Sequence, residues 1–102
     1  MFEINGKEYD LKYNMKRVEL IENAIGMPMM AELSNHKGMF GLTALKTYFA
    51  YGLKEEGSDV FVKVKDGMKM AEDLIENEGY VNVNGAVLEA LQRDCPFFFR
   101  AD

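Results

Sequence analysis

Asn5-Gly6 stands between two short arms, Phe2-Glu3-Ile4 and Glu8-Tyr9-Asp10-Leu11-Lys12-Tyr13, and constrains the fold more tightly than anything else in the chain. A tight two-residue turn needs positive φ at both positions, and Asn followed by Gly adopts that at least cost. The second arm alternates, with Tyr9, Leu11 and Tyr13 on one side and Glu8, Asp10 and Lys12 on the other. Alternation of period two marks a half-buried strand. Residues 1–13 are therefore expected to form a β-hairpin with one wet face.

Beyond the hairpin the apolar period changes to that of a helix. Asn14 is placed to cap a first helix carrying Met15, Val18, Ile21 and Ile25, with Leu20 and Ala24 widening the stripe. Gly26 stops it, and Pro28 stands at a first-turn position of a short helix or turn reaching Leu33. Ser34 to Gly41 reads as a loop. Leu42, Leu45, Phe49 and Leu53 mark another helix that ends before Gly57, with Tyr48, Phe49 and Tyr51 giving it several aromatic sides. Val60 to Val64 suits either a short strand or an extended linker. Asp66 is expected to cap a helix through Met68, Met70, Ala71, Leu74, Ile75 and Glu78, closed by Gly79. A last helix runs from Asn82 or Asn84 to Asp94, with Val87, Leu88, Leu91 and Cys95 inward, until Pro96 ends it. The expected architecture is α+β and mainly α, an N-terminal β-hairpin followed by a small bundle of four to five helices. One domain, residues 1–102, comprises the hairpin (1–13), a helical region (14–95) and a Phe-rich tail (96–102).

The chemistry on offer is narrow. His36 is the only histidine and Cys95 the only cysteine, so neither a Ser-His-Asp arrangement nor a His/Cys zinc site has its usual complement. His36 reads as a solvated loop residue, and Cys95 as a core residue at the end of an apolar stripe. Glu55-Glu56, Glu72-Asp73, Glu76 and Glu78 read as solvated helix faces or ends. The spaced acids of a calcium loop and the phosphate-cradling glycine loop are both missing. No catalytic residue, cofactor or metal site is expected, and the protein is read as non-enzymatic.

The net charge of −5 repels phosphate backbones and anionic lipid, so neither nucleic acid nor membrane is expected as a partner. A helix-turn-helix around Gly79 would offer only Arg93 as a base-reading cation, and Lys63, Lys65 and Lys69 make a small basic cluster. No apolar run approaches the ~20 residues that span a bilayer, and the first residues lack the pattern of a signal peptide. A lone cysteine suits a reducing compartment. The expected location is the cytoplasm.

Two features suit protein contacts. Eight methionines occur in the chain, and four of them, Met27, Met29, Met30 and Met39, cluster near the middle loop. Such side chains either fill gaps in a small core or line a surface that accepts varied partners. The second feature is Phe97-Phe98-Phe99. Three consecutive residues cannot all face one core, so part of this run is expected to anchor and part to meet a partner.

The stretch from Phe2 to Tyr13, with the helix ending Ile25-Gly26-Met27-Pro28, resembles tail assembly chaperones of long-tailed phages and prophages, of the Gram-positive siphophage type. The segments Gly41-Leu42-Thr43-Ala44-Leu45-Lys46-Thr47-Tyr48-Phe49-Ala50-Tyr51-Gly52-Leu53 and Asn84-Gly85-Ala86-Val87-Leu88-Glu89-Ala90-Leu91 extend the resemblance over nearly the whole chain. It rests on packing and turn patterns rather than a catalytic signature. The resemblance implies a protein that binds the tape measure protein, keeps its hydrophobic helices soluble and helps recruit tail tube (major tail) subunits. It also implies self-association, action in the host cytoplasm and absence from the mature virion. This chain would be the short, unframeshifted product, and the codons of Phe97 to Phe99 sit where a slippery site would lie. The alternative reading is a small intracellular protein-interaction or regulatory adaptor domain.

Overall fold

In the computed structural model, which describes residues 2–99, Asn5 (φ 52°) and Gly6 (φ 83°) fold β1 (Phe2–Ile4) back on β2 (Lys7–Leu11). The first residue of the expected hairpin and the last three of the expected tail lie outside the described residues. Phe2 pairs with Tyr9, Glu3 with Glu8 and Ile4 with Lys7. Tyr9, Leu11 and Tyr13 are all buried, so the alternation read from the sequence sets the face that packs.

A third strand, β3 (Leu53–Glu55), joins β2 antiparallel to give the order β1-β2-β3, with Leu11 opposite Leu53. The apolar spacing carries the helix through Leu53. Instead α3 (Leu42–Gly52) stops one residue earlier, where the hairpin takes hold of its end. Lys12 N–H donates to Gly52 O at 2.9 Å, and the Tyr13 hydroxyl donates to Tyr48 O at 2.7 Å. A Cβ on residue 52 would lie 2.4 Å from the Tyr13 ring, so glycine alone fits this crossing. Long-range pairing overrides the helical period here. Of the Val60–Val64 stretch, Val64 opens a helix and the rest forms only an outer rung, with a single antiparallel bridge between Phe61 and Lys54 and a bond from Val62 N–H to Leu53 O of 2.9 Å.

The remaining elements are α1 (Met15–Ile25), α2 (Met29–Asn35), α4 (Val64–Glu78) and α5 (Tyr80–Asp94), followed by one 3-10 turn (Pro96–Phe98). Asn14 Oδ1 accepts Arg17 N–H at 2.8 Å, and left-handed Gly26 closes α1, as their positions suggested. Only Val18 and Ile21 of α1 are fully buried, while Met15 and Leu20 stay exposed. The helix has α3 as its main neighbour, so the wide stripe is wet at its margins. Pro28 occupies the cap position of α2 rather than its first turn, and the helix takes in Ser34 and Asn35 from the expected loop.

Asp66 lies inside the first turn of α4 rather than at its cap, where its charge still complements the helix dipole. Gly79, at φ 95°, turns the chain between α4 and α5 alone, which lets α5 begin two residues before Asn82. The core centres on α3. Leu45, Tyr48 and Phe49 are sealed from water, with the sheet, α4 and α5 around the helix. No helix among the described residues is long and apolar enough to cross a membrane.

Candidate functional site

The few reactive side chains are held in structural pairs. His36 Nδ1 lies 2.9 Å from Glu32 Oε2, and the same buried carboxylate accepts Gly41 N–H at 3.1 Å. Together they pin the strap from residue 36 to 41 to α2. The Cys95 thiol is sealed, and burial followed by the nearby Asp94 charge pushes its pKa up. A neutral buried thiol is a poor nucleophile. Glu72 pairs with Lys46 at 3.1 Å, and Asp73 with Lys69 at 3.2 Å. Among the described residues no three His, Cys, Asp or Glu side chains converge as a metal ion would require.

The four clustered methionines do not share one surface. Met29 is wholly buried, Met27 and Met39 are half-buried, and Met30 is exposed. Glu22 Oε2 accepts Met29 N–H at 2.7 Å. Asn84, buried on α5, reaches Met39 Sδ at 3.4 Å and accepts Phe40 N–H at 3.0 Å. The Tyr80 hydroxyl donates to Phe40 O. This part of the chain is therefore pinned by α5, with Met30 its outward-facing methionine.

The Phe-rich run divides two ways. Phe98 turns inward and packs on the core, while Phe97 and Phe99 remain 42% and 37% exposed. Their ring centroids lie 4.7 Å and 6.4 Å from that of Phe98, so the outer rings rest on an anchored one. The run follows the C-terminal end of α5, whereas Met39 meets Asn84 near its start. Ten residues of α5 separate those levels, about 15 Å of helix. The methionine cluster and the Phe run are two sites.

A third feature escaped the sequence. Three adjoining depressions form a channel between β1 and the α4–α5 pair. The central one, about 160 Å³, is lined mainly by Phe2, Phe49, Leu74, Val83 and Ala86. It shares Leu74 and Glu78 with a neighbour of about 240 Å³ towards Asn5, and Phe2 and Ala86 with one of about 60 Å³ towards Arg93. On α4 the lining residues Met70, Asp73, Leu74, Asn77 and Glu78 follow helical spacing, as do Asn82, Val83, Ala86, Glu89, Ala90 and Arg93 on α5. The α4 edge thus mixes apolar and acidic residues, and the α5 edge sets Glu89 and Arg93 beside its apolar ones. Each edge is visible in sequence, but its pairing with β1 is not. Comparison of the chain with protein-family models, with curated proteins and with solved structures finds no match.

Proposed function

We propose that this chain is a non-enzymatic phage tail assembly chaperone of the host cytoplasm that holds helices of the tape measure protein and helps bring tail tube subunits to them. The observation that carries the reading is the end of α5, where Phe98 is anchored in the core and Phe97 and Phe99, resting on it, each keep about two fifths of their surface open to water. Each aromatic ring buried against a partner gains about 1.5–3 kcal/mol, and rings seated on a fixed base lose little conformational freedom when covered. Net charge of −5 keeps such a surface soluble. The sequence resemblance supplies the tape measure as the helical partner, and repeated copies along it would add avidity to weak contacts.

Co-expression with a tape measure protein tests the reading. The chain is expected to co-purify with it and keep it soluble, and Phe97→Ser with Phe99→Ser is expected to abolish both effects while the chain stays folded by circular dichroism. A tape measure protein that stays unbound and precipitates beside the intact chain would reject the chaperone role. A defined dimer with no affinity for those helices would leave the adaptor domain as the better account.

A further inference from the structure

The channel beside β1 carries charge that its apolar floor does not require. Acidic side chains line its three parts at Glu3, Asp10, Asp73, Glu78 and Glu89, against Arg93 alone on the basic side. Arg93 is already engaged, 2.8 Å from Asp94 and 3.8 Å from Asp10. Glu3 and Glu78 make no ion pair among the described residues. Glu3 also faces Glu8 directly across the hairpin, a like-charge placement that costs stability.

We propose that this channel docks an amphipathic α-helix of another protein, one whose apolar stripe is flanked by Lys or Arg. Charge commits it to that occupant. Acids stand on the strand side at Glu3 and on the helix side at Glu78 and Glu89, while Asp73 is held by Lys69 at 3.2 Å, so cations on both flanks of the stripe meet partners. The same acids repel a second copy of this chain, whose net charge is −5. Length agrees with a helix. From Asn82 to Arg93 the α5 wall runs about 16 Å, close to three helical turns. Phe2, Leu74, Val83 and Ala86 form the floor on which the stripe rests. The surface is small, and the docking it supports is weak and reversible. This groove is separate from the Phe-rich end, and the inference does not depend on the chaperone role.

A synthetic amphipathic helix of about three to four turns, apolar on one stripe and flanked by Lys, is the probe. A matched peptide with Glu flanks is the control. Binding is read by fluorescence anisotropy and by amide shifts of the full chain. The Lys peptide is expected to bind as a helix and to shift Phe2, Leu74, Val83 and Ala86. The Glu peptide is expected to bind at least about tenfold more weakly, and salt to weaken the Lys peptide as it screens the rim. Glu3→Lys with Glu78→Lys changes exposed side chains and is expected to erase the preference. Ala86→Arg, also at an exposed position, is expected to block the groove, whereas Phe97→Ser with Phe99→Ser leaves peptide binding intact. Equal binding of the two peptides, shifts confined to the Phe-rich end, a peptide that adds as a strand to β1, or a dimer formed through the groove would each overturn the proposal.

Discussion

Tyr48 and Tyr13 both bury a phenol beside α3, and only one of them uses it. The Tyr48 hydroxyl has no hydrogen-bond partner among the described residues although the residue is sealed from water. Burial, and after it the negative charges of Glu22 and Glu32, pushes its pKa far up. An unpaired buried hydroxyl costs about 1–3 kcal/mol, while the ring itself stacks on Phe40 at 4.6 Å. Tyr48→Phe keeps the stack and removes the orphan, so urea unfolding is expected to show a gain of about 1 kcal/mol. Tyr13→Phe has the opposite sign, because its hydroxyl satisfies Tyr48 O at 2.7 Å, and a loss of about 1 kcal/mol is expected. Equal effects of the two changes would contradict this assignment. Asp94 links residue chemistry to pH. Partial burial alone raises its pKa, yet the Arg93 hydrogen bond, the Tyr13 N–H bond of 2.9 Å, and the Arg93 and Lys12 charges outweigh that and hold it below the usual value. Its folded pKa therefore lies under the unfolded value of about 3.9. The stability it contributes is complete above that value and is lost as pH falls through the folded pKa. Asp94→Asn is expected to cost about 1–2 kcal/mol at neutral pH and to flatten the acid limb of stability below about pH 4. An acid limb as steep as the parent's would remove Asp94 from the account.

At the scale of elements, α3 and α4 cross with backbone against backbone. A Cβ on Gly67 would stand 2.9 Å from Ala50 Cα and 3.0 Å from Ala50 O, both of them backbone that no rotamer change can move. In an exposed helix Gly→Ala gains about 1 kcal/mol of propensity, but at this crossing the helices must separate. Gly67→Ala is expected to destabilise by about 1–3 kcal/mol and to lower the melting temperature without changing helix content by circular dichroism. A rise in melting temperature would show that the crossing has slack. The elements legible in sequence were those fixed locally. Asn5-Gly6 dictates its turn through φ, Asn14 caps α1 with its own side chain, and Gly26 supplies a left-handed stop. The elements misplaced were those decided by distant contacts. Leu53 left its helix because Lys12 and Tyr13 claim Gly52 and Tyr48, residues some forty positions away. α4 begins at Val64, ahead of Asp66, once Val62 is tied to Leu53.

The whole molecule has a radius of gyration of 12.8 Å, the value of a compact chain of this length, about 13 Å, and its core forms one cluster. Apolar groups left outside such a core stand out by contrast. The Phe run was legible because three neighbours cannot share one face. The methionine cluster was half legible, since composition says nothing about which sulfur is pinned by Asn84 and which is wet. The channel was illegible because β1, α4 and α5 meet there from opposite ends of the chain. Stability and surface are divided within three identical residues at the end of α5. Phe98 packs on the core and Phe97 and Phe99 do not, so one residue type gives two outcomes at adjacent positions. Phe98→Ala removes buried ring contacts and is expected to cost about 1–3 kcal/mol, towards the low end of ring deletions because the ring is only half-buried. Phe97→Ser and Phe99→Ser remove rings that are 42% and 37% exposed and packed on Phe98 rather than on the core, and each is expected to cost less than Phe98→Ala, about 0.5–1 kcal/mol. Urea titrations of the three variants decide it: equal losses at all three positions would mean that the whole run belongs to the core and leaves no ring for a partner.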